Sequence, residues 1–456
     1  MTALARPSLL AMEGRWLLRS RLALAVLAVL MGAIILALAN GRALLAAQLA
    51  SRAAASSELA EADARLRAGM ARGMPVADAV LLPIRVRMPV IAPLPPLIDA
   101  SAGQALLAPD ATAAGLRSRA DTLFARSTLE NPELLMRGGL DLGFVVLVIA
   151  PLLLVVLGHG MIPADRDSGA LRLVLAQGGG VGRLLLARSL PRLALVLAPI
   201  ALALLWLGLS GPDLPGRTTA LIWWGLIALA SLPLWWALVL LVNSLRTSAD
   251  AAALALVAIW ALFTLVLPAL LTALVGLAQP LPSRYAVIAK ARAAEVAATA
   301  QWDNDHAEAV SDELASRRDA LARTLDVTGK VAAVTAPIMA DHAARRAGRQ
   351  ETLDQLAPLA PPMLAAQALA RAAGSDAGAV AQVQDAAAAH VAQLRAALAR
   401  LATRPQPMTP ADLDRLPRFV PPAPAAPPLG ALAWLLALAS GLLLAAVRQI
   451  NRLQPD

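Results

Sequence analysis

The sequence predicts an all-α polytopic membrane protein with six transmembrane helices and two large extracytoplasmic insertions, mostly helical with some short strands. Three observations lead to this prediction. The 456 residues are 58% hydrophobic and only 16% charged, with a mean hydropathy of +0.64, whereas soluble domains average about 25% charged residues. The apolar residues are gathered in long charge-free runs. Two long stretches between those runs are much less apolar.

Each charge-free run is long enough to cross the hydrocarbon core, which takes about 20 mostly apolar residues. A central charge would cost about 2.5–3.5 kcal/mol on insertion scales, and no run has one. No small-residue cleavage site follows the first run, so we interpret it as an uncleaved span and not as a signal peptide. The six predicted spans are 22–41, 140–161, 193–211, 218–242, 251–278 and 429–447.

Arginines flank these spans predominantly on one side of the membrane. They are dense in residues 1–21, which we expect to form an interfacial helix, and in the loop 162–192, and they recur in the tail 448–456. The short loop 212–217, on the other side, has one arginine and one aspartate. Because short cytoplasmic loops are enriched in Lys and Arg, both termini and the 162–192 loop are predicted to be cytoplasmic.

The first long segment, 42–139, is then an extracytoplasmic insertion. Residues 42–73 have helical character and are expected to extend the first span outward. Residues 84–98 alternate apolar and basic side chains before a group of prolines, which is typical of a short strand or extended piece. The insertion is therefore predicted to be mixed, with a helix followed by extended chain.

The second long segment, 279–428, is the other extracytoplasmic insertion. Residues 284–326 and 364–402 are typical of amphipathic helices, and the first part of the latter is expected to end near Gly374. The proline-rich run 420–428 predicts a stiff linker into the last span. This insertion is therefore predicted to be mostly helical.

No pattern in the chain predicts catalysis. The two lysines, Lys290 and Lys330, end no GxxxxGK loop, so any ATP hydrolysis must come from a partner. Cysteine is absent, which excludes disulfides and Cys-ligated metals. The run WDNDHAE around His306 fits a solvated helix start better than a metal site. We expect no enzyme activity, no cofactor and no metal here, and no nucleic-acid partner, because the arginines are scattered and aromatic residues are only 3%.

Asp141 lies at the outer start of the second predicted span, in GGLDLGFVV. A carboxylate at this position favours a helix N-terminus electrostatically, which is a structural role. Ionisable groups near membrane spans are also often functional, so a place in a substrate pathway is the alternative. The sequence leaves both interpretations open.

A charged cluster follows the second span, in IPADRDSGALRLVLAQGGG (162–180). From Ser168 onward the pattern predicts a short helix, capped by Ser168 or Asp167. Two interpretations are open: a positive-inside loop whose helix lies on the lipid surface, and a helix that docks onto another protein. The apolar positions that share one face of this helix are Leu171, Val174 and Leu175.

The stretch LDLGFVVLVIAPLLLVVLGHGMIPADRDSGALRLVLAQ resembles the second span and following loop of ABC transporter permeases of the type-2 exporter class, in an uncharacterised branch with large extracytoplasmic insertions. EGRWLLRSRLAL (13–24) is similar to the N-terminal interfacial helix and first-span entry of these permeases. Three outer segments, 129–139, 361–376 and 408–419, are similar to those of the branch. The matching positions in the loop and second span are Asp141, Pro151, Leu152, Asp165, Arg166, Asp167, Ser168, Gly169, Leu171, Arg172, Leu173 and Gln177.

The chain departs from the pattern of this branch at three places. Aspartates stand on either side of Arg166 where glutamates are usual, and Ala170 replaces a threonine. Three glycines, 178–180, stand where a proline usually ends the short helix. A glycine also terminates a helix, though less rigidly.

The resemblance implies that 162–192 is a cytoplasmic coupling loop whose short helix docks into a groove of a cytoplasmic ABC ATPase subunit. That partner binds ATP and Mg. A second permease protomer, either a copy of this chain or a paralogue, and the lipid bilayer complete the implied partners. The implied location is the bacterial inner (cytoplasmic) membrane. The residues to which the resemblance assigns ATPase coupling are Asp165, Arg166, Asp167, Gly169, Leu171, Arg172 and Val174.

The implied function is that of a membrane-spanning permease subunit of an ATP-driven ABC exporter, which moves a substrate across or out of the membrane. The large outer insertions keep an alternative open: an ABC-type mechanotransmission protein that acts on a periplasmic partner without transmembrane transport. An ion-coupled carrier is disfavoured, because ion coupling usually needs carboxylates inside the spans, and the interiors of these spans have none.

Overall fold

The computed structural model describes residues 9–107, 111–119, 139–169, 181–245, 248–307 and 312–451. Its described part is almost entirely helical. Besides irregular connecting segments, it contains two short strands, β1 (Met88–Ile91) and β2 (Ala111–Ala114). The helices in chain order are α1 (Leu9–Arg19), α2 (Arg21–Ala71), α3 (Val76–Val80), α4 (Leu82–Arg85), α5 (142–158), α6 (Pro163–Asp167), α7 (Val181–Ser210), α8 (Arg217–Asn243), α9 (Ala249–Ala278), α10 (Arg284–Asp305), α11 (Glu313–Leu356), α12 (Pro361–Ala373), α13 (Ala377–Ala402), α14 (Pro410–Asp414) and α15 (Leu429–Asn451).

Six of these elements are long and apolar enough to cross a membrane: α2, α5 together with α6, α7, α8, α9 and α15. They follow the order of the six predicted spans, so the predicted fold class is confirmed. Two of them contain a π-helical turn, Val145–Ile149 in α5 and Leu262–Val266 in α9. Each turn lies just before a proline, Pro151 or Pro268, whose missing N–H leaves a helix carbonyl without its usual partner.

Helix α8 lies at the centre of the bundle. In its most apolar window 72% of the residues are buried, compared with 11% in α9 and 17% in α15. Trp224 and Ile227 of α8 are fully buried, and the helix packs against α5, α7, α9, α12 and α15. The outward faces of α9 and α15 carry leucines and valines, as expected for surfaces that contact lipid acyl chains.

The first apolar helix continues far beyond the length of a span. Helix α2 has 51 residues and includes most of the stretch 42–73, for which the sequence predicts an outward helical extension. At 1.5 Å per residue it is about 76 Å long, more than twice the thickness of the hydrocarbon core. Strand β1 lies inside the stretch 84–98, where the sequence predicts a short strand, and pairs antiparallel with β2.

The helix predicted over 284–326 is two helices in the structure. Helix α10 ends at Asp305, and α11 begins at Glu313 and continues to Leu356. The end of α10 is rich in Asp, Asn and His, which are weak helix formers in a helix interior. The two helices run antiparallel, with ion-pair or hydrogen-bond contacts between Arg323 and Asp303 at 2.7 Å and between Lys330 and Gln301 at 3.1 Å.

The predicted helix 364–402 divides at Gly374, near where the sequence predicts a break. Gly374 has a φ of +73°, a left-handed conformation that glycine adopts at a helix end without strain. The first part, α12, packs into the same apolar core as the spans, through Ala365, Ala368 and Leu369. The sequence predicts an amphipathic outer helix here, but not that its apolar face is buried against α8.

A second apolar core, the distal core, is separate from the core of the spans. The far end of α2 meets the start of α11 and the end of α13 there, with Leu321, Leu394 and Leu413 buried in common. His390 of α13 is 5% exposed and lies edge-on to Phe419, with 5.8 Å between the ring centroids. Its Nε2 is buried and makes no hydrogen bond within the described residues.

Burial lowers the pKa of the His390 imidazole below its ordinary value. In the unfolded chain this group takes up a proton near pH 6.5. Below that pH the unfolded state therefore binds more protons than the folded state, and stability falls as the pH decreases. In the wild type, we expect the backbone amides of α13 to exchange hydrogen faster at pH 5 than at pH 7.5, once the rates are corrected for the pH dependence of intrinsic amide exchange.

The variant His390→Leu is expected to lose most of this pH dependence, and His306→Leu is expected to keep it, because His306 is exposed. Hydrogen exchange of the full chain, followed by mass spectrometry, provides the measurement. An identical pH response in the wild type and in His390→Leu would show that this imidazole does not limit the stability of the distal core.

Candidate functional site

Asp141 caps the N-terminus of α5. Its Oδ1 accepts a hydrogen bond from the Phe144 backbone N–H at 2.8 Å, and its Oδ2 accepts one from the Ala102 N–H at 3.1 Å. These contacts match the first of the two interpretations of Asp141, in which its carboxylate stabilises the helix N-terminus. A role in a substrate pathway stays a prediction.

At the opposite end of α5, a tight turn leads into the short helix α6. Pro163 begins α6 at a position where its missing N–H has no helical partner to lose. Asn243, at the end of α8, is fully buried and donates from Nδ2 to the Gly158 carbonyl at 2.9 Å. Its Oδ1 accepts from the Ile162 N–H at 3.4 Å. These bonds join the turn between α5 and α6 to the end of the central helix.

Helix α6 is also joined to α7 and α1 by a chain of charged side chains. The carboxylate of Asp165 accepts a hydrogen bond from Arg188 Nη1. The same guanidinium donates from Nε to Glu13 Oε1 at 3.2 Å, and from Nη1 to the Met161 carbonyl at 2.9 Å. Arg192 lies 3.9 Å from the second oxygen of Glu13. These groups are mostly buried, so the ion pairs are screened less than surface pairs.

Arg166 and Asp167 occupy the outer surface of α6. Arg166 donates from Nη1 to the Leu245 carbonyl at 3.4 Å, near the end of α8. Asp167 is exposed. Gly169 has a φ of +75°, which favours glycine and turns the chain away from α6. Asp167 and part of Arg166 are therefore presented at the end of the bundle, beside a fixed turn.

The helix that the sequence predicts from Ser168 onward lies largely outside the described residues, so its capping by Ser168 or Asp167 stays a prediction. The structure shows a separate short helix before it, α6, with Asp167 in its last turn and Ser168 at its C-terminal end. Pro163 starts α6, and Gly169 follows its end. The contact with the ATPase that the resemblance assigns to Asp165 also stays a prediction; within the chain its carboxylate is bound by Arg188. The remaining predicted coupling residues, Leu171, Arg172 and Val174, lie outside the described residues.

Sequence reasoning missed Glu13, Arg188 and Asn243 as members of this site. Glu13 is the only acidic residue before Glu58. An isolated acid among arginines is a signal that could have indicated an internal ion pair. Asn243 offered a weaker signal, as an amide at the end of an otherwise apolar helix.

A second polar cluster lies at the other end of the bundle and was not predicted. Arg217, the first residue of α8, forms a two-pronged ion pair with the fully buried Asp99, at 3.1 Å (Nη1 to Oδ1) and 2.7 Å (Nη2 to Oδ2). It also donates to the carbonyls of Pro96 at 2.8 Å and Leu207 at 3.2 Å. The side chain of Arg217 is 8% exposed and that of Asp99 is 0% exposed.

The segment around Asp99 joins several helices at this end. A Cβ added to Gly41 of α2 would overlap the Asp99 carbonyl oxygen, so only glycine permits this approach. The Gly143 N–H of α5 donates to the Ala100 carbonyl at 3.3 Å, and the Leu97 N–H donates to the Ala373 carbonyl of α12 at 3.4 Å. We call residues 95–102 the outer junction, because they connect α2, α5, α8 and α12.

The described residues around His306 contact other side chains of the protein. The His306 ring stacks on Trp302, with 3.8 Å between the centroids, and Asp303 pairs with Arg323. Within the described residues, no group of three His, Asp or Glu side chains is placed to hold a metal ion.

The six long apolar helices are those of a multi-pass membrane protein. A family model described as a domain of unknown function (DUF3526) matches residues 284–421, which span α10 to α14. The match covers less than a third of the chain and lies between the fifth and sixth apolar helices. No curated protein and no solved structure matches the chain. Both polar clusters involve residues outside the matched region.

Proposed function

We propose that the chain is the membrane-spanning permease subunit of an ATP-driven ABC exporter, which couples ATP hydrolysis by a separate ATPase subunit to movement of a substrate across or out of the membrane. The observation that carries the proposal is the attachment of α6 to α7 and α1 through Asp165, Arg188 and Glu13. A short helix that presents charge at the end of a bundle, and that is bonded to the spans behind it, is suited to receive a force from a docked protein.

In this proposal the cytoplasmic ATPase subunit binds ATP and Mg and contacts Arg166 and Asp167, together with the residues that follow Gly169. A push on α6 is transmitted to α7 through the Asp165–Arg188 ion pair, and to α8 through Asn243. A second permease protomer, either a copy or a paralogue, completes the transporter. An even number of crossings places both termini on one side, and the arginine flanks favour the cytoplasmic side of a bacterial inner membrane.

Copurification tests this docking. The chain is coexpressed with a cytoplasmic ABC ATPase subunit from the same genome, and the ATPase retained on the tagged permease is measured. The wild type is expected to retain it, and the double reversal Arg166→Asp/Asp167→Arg is expected to reduce retention at least tenfold, because like charges then meet across the contact. Neither side chain is fully buried, so the fold should survive the reversal.

The matched control is Asp213→Arg, which changes an exposed charge in the short loop before α8, at the opposite end of the bundle. It is expected to leave retention unchanged. Equal retention by the wild type and the double reversal would remove Arg166 and Asp167 from the docking surface. Equal loss in the Asp213→Arg control would show that the effect is nonspecific.

A second candidate function is mechanotransmission to a periplasmic partner. The observation that favours it is α2, one unbroken helix from the membrane core to the distal apolar core. Such a helix carries motion of the first span outward without any substrate crossing. ATP-driven accumulation of a substrate in vesicles would favour the exporter. Motion of the distal core with no substrate movement would favour the alternative.

A further inference from the structure

An apolar groove of about 440 Å³ lies between α1, α2 and α7. Leu17 and Leu18 of α1 form one wall, Leu27 and Met31 of α2 form another, and α7 contributes Ala194 and Ala198. The groove is part of the surface of two membrane-spanning helices near the end where α1 lies. Hydrocarbon chains are therefore the medium that it meets.

Several of the residues that line the groove are small or compact. Gly14 of α1 and the two alanines of α7 add little volume, and Pro191 and Pro199 of α7 add compact rings. Ala194 and Ala198 are exposed, which means that no other described element covers this face of α7.

Helix α1 has the features of a helix that lies in the membrane interface. Leu9, Met12 and Trp16 are 42%, 54% and 61% exposed, although they are large apolar side chains. Arg15 and Arg19, which lie on either side of Trp16 in the sequence, are also exposed. Amphipathic helices of this composition lie with apolar side chains in the acyl boundary and arginines among the headgroups.

The charge beside the groove is not neutralised within the described residues. Arg15 follows the lining residue Gly14, Arg19 follows Leu18, and the two arginines lie on one face of α1 at i and i+4. Neither makes an ion pair with a described residue, and the one acid of α1, Glu13, is engaged by Arg188 and Arg192. An apolar groove thus lies beside two arginines that have no acidic partner among the described residues.

We propose that this groove binds one anionic phospholipid from the leaflet that contacts α1. An acyl chain fills the groove, and the phosphate of a headgroup with net negative charge pairs with Arg15 and Arg19. Basic pockets beside transmembrane helices are suited to such headgroups, and each arginine near the surface contributes about a fivefold gain in affinity. The inference rests on the groove and its charges and is independent of the proposed transport function.

Native mass spectrometry of the full chain tests it, with equal amounts of phosphatidylglycerol and phosphatidylcholine added in detergent. The wild type is expected to retain phosphatidylglycerol preferentially, as one molecule per chain. Arg15→Gln/Arg19→Gln is expected to lose this preference by about fivefold for each arginine removed. Ala194→Leu/Ala198→Leu fills the groove from exposed positions and is expected to reduce retention of both lipids.

The matched controls are Arg448→Gln, an exposed arginine of α15, and Ala201→Leu, an exposed alanine of α7 that does not line the groove. Both are expected to retain phosphatidylglycerol as the wild type does. Equal retention of the two lipids by the wild type would overturn the proposal. Unchanged retention of phosphatidylglycerol in both test variants would also overturn the proposal. An equal loss of phosphatidylglycerol in the control variants would do the same.

Discussion

Arg217→Ala is expected to lower the free energy of unfolding by about 3–5 kcal/mol, because it leaves the Asp99 carboxylate buried without its partner. Asp99 is fully buried and receives two hydrogen bonds from this guanidinium. The substitution also removes the donors to the carbonyls of Pro96 and Leu207. The outer junction would lose its attachment to the central helix, so the effect should exceed that of any exposed charge.

Thermal unfolding in detergent, followed by tryptophan fluorescence, provides the measurement. Asp213→Ala is the matched control, because Asp213 is an exposed acid four residues before Arg217, and it is expected to change the midpoint little. The double variant Asp99→Leu/Arg217→Met is expected to be more stable than either single variant, since it removes both buried charges. If the midpoint of thermal unfolding is the same for Arg217→Ala as for Asp213→Ala, the Asp99–Arg217 ion pair does not stabilise the fold.

Arg188→Ala is the second substitution with a large expected effect. It removes the hydrogen bonds to Asp165, Glu13 and the Met161 carbonyl, and hydrogen bonds to charged groups contribute about 1.5–3 kcal/mol each. Helix α6 would then lose its fixed position. Retention of the ATPase subunit is expected to fall about tenfold or more, although Arg188 lies behind the docking surface.

A double-mutant cycle separates this positioning effect from a direct contact. If Arg188 acts through Asp165, then Asp165→Ala/Arg188→Ala should cost about as much retention as Arg188→Ala alone. Arg448→Ala, which removes an exposed arginine from α15, controls for the change in net charge. Additive losses from Asp165→Ala and Arg188→Ala would show that the two residues act independently.

The spans were predictable because the membrane imposes a length and a lack of charge that can be read from sequence directly. The continuation of the first span was predictable for a similar reason, since 42–71 contains no proline and its one glycine, Gly69, lies close to the end of α2. The burial of α12 against α8 was not predictable. The alanine-rich face of α12 indicates that it packs against another helix, but the hydrophobic periodicity of the sequence does not identify which helix that is.

The candidate site was predictable in part. Residue types alone indicated a charged cluster after the second span. In the structure Asp167 is exposed and Arg166 is half-buried on α6, whereas the helix predicted from Ser168 onward lies largely outside the described residues. The internal partners were not predictable, because Glu13 and Arg188 are 175 residues apart and Asp99 and Arg217 are 118 residues apart. Pairs at such separations are set by the packing of the helices, which no local pattern encodes.

Cross-linking from Asp167 tests the central claim most directly. The chain has no cysteine, so Asp167→Cys introduces a single reactive thiol at an exposed position of α6. A thiol–amine cross-linker should join this variant to the coexpressed ATPase subunit, and Asp213→Cys, at the opposite end of the bundle, should give no such product. Cross-linking of the ATPase from Asp213→Cys but not from Asp167→Cys would contradict the assignment of α6 as the coupling surface.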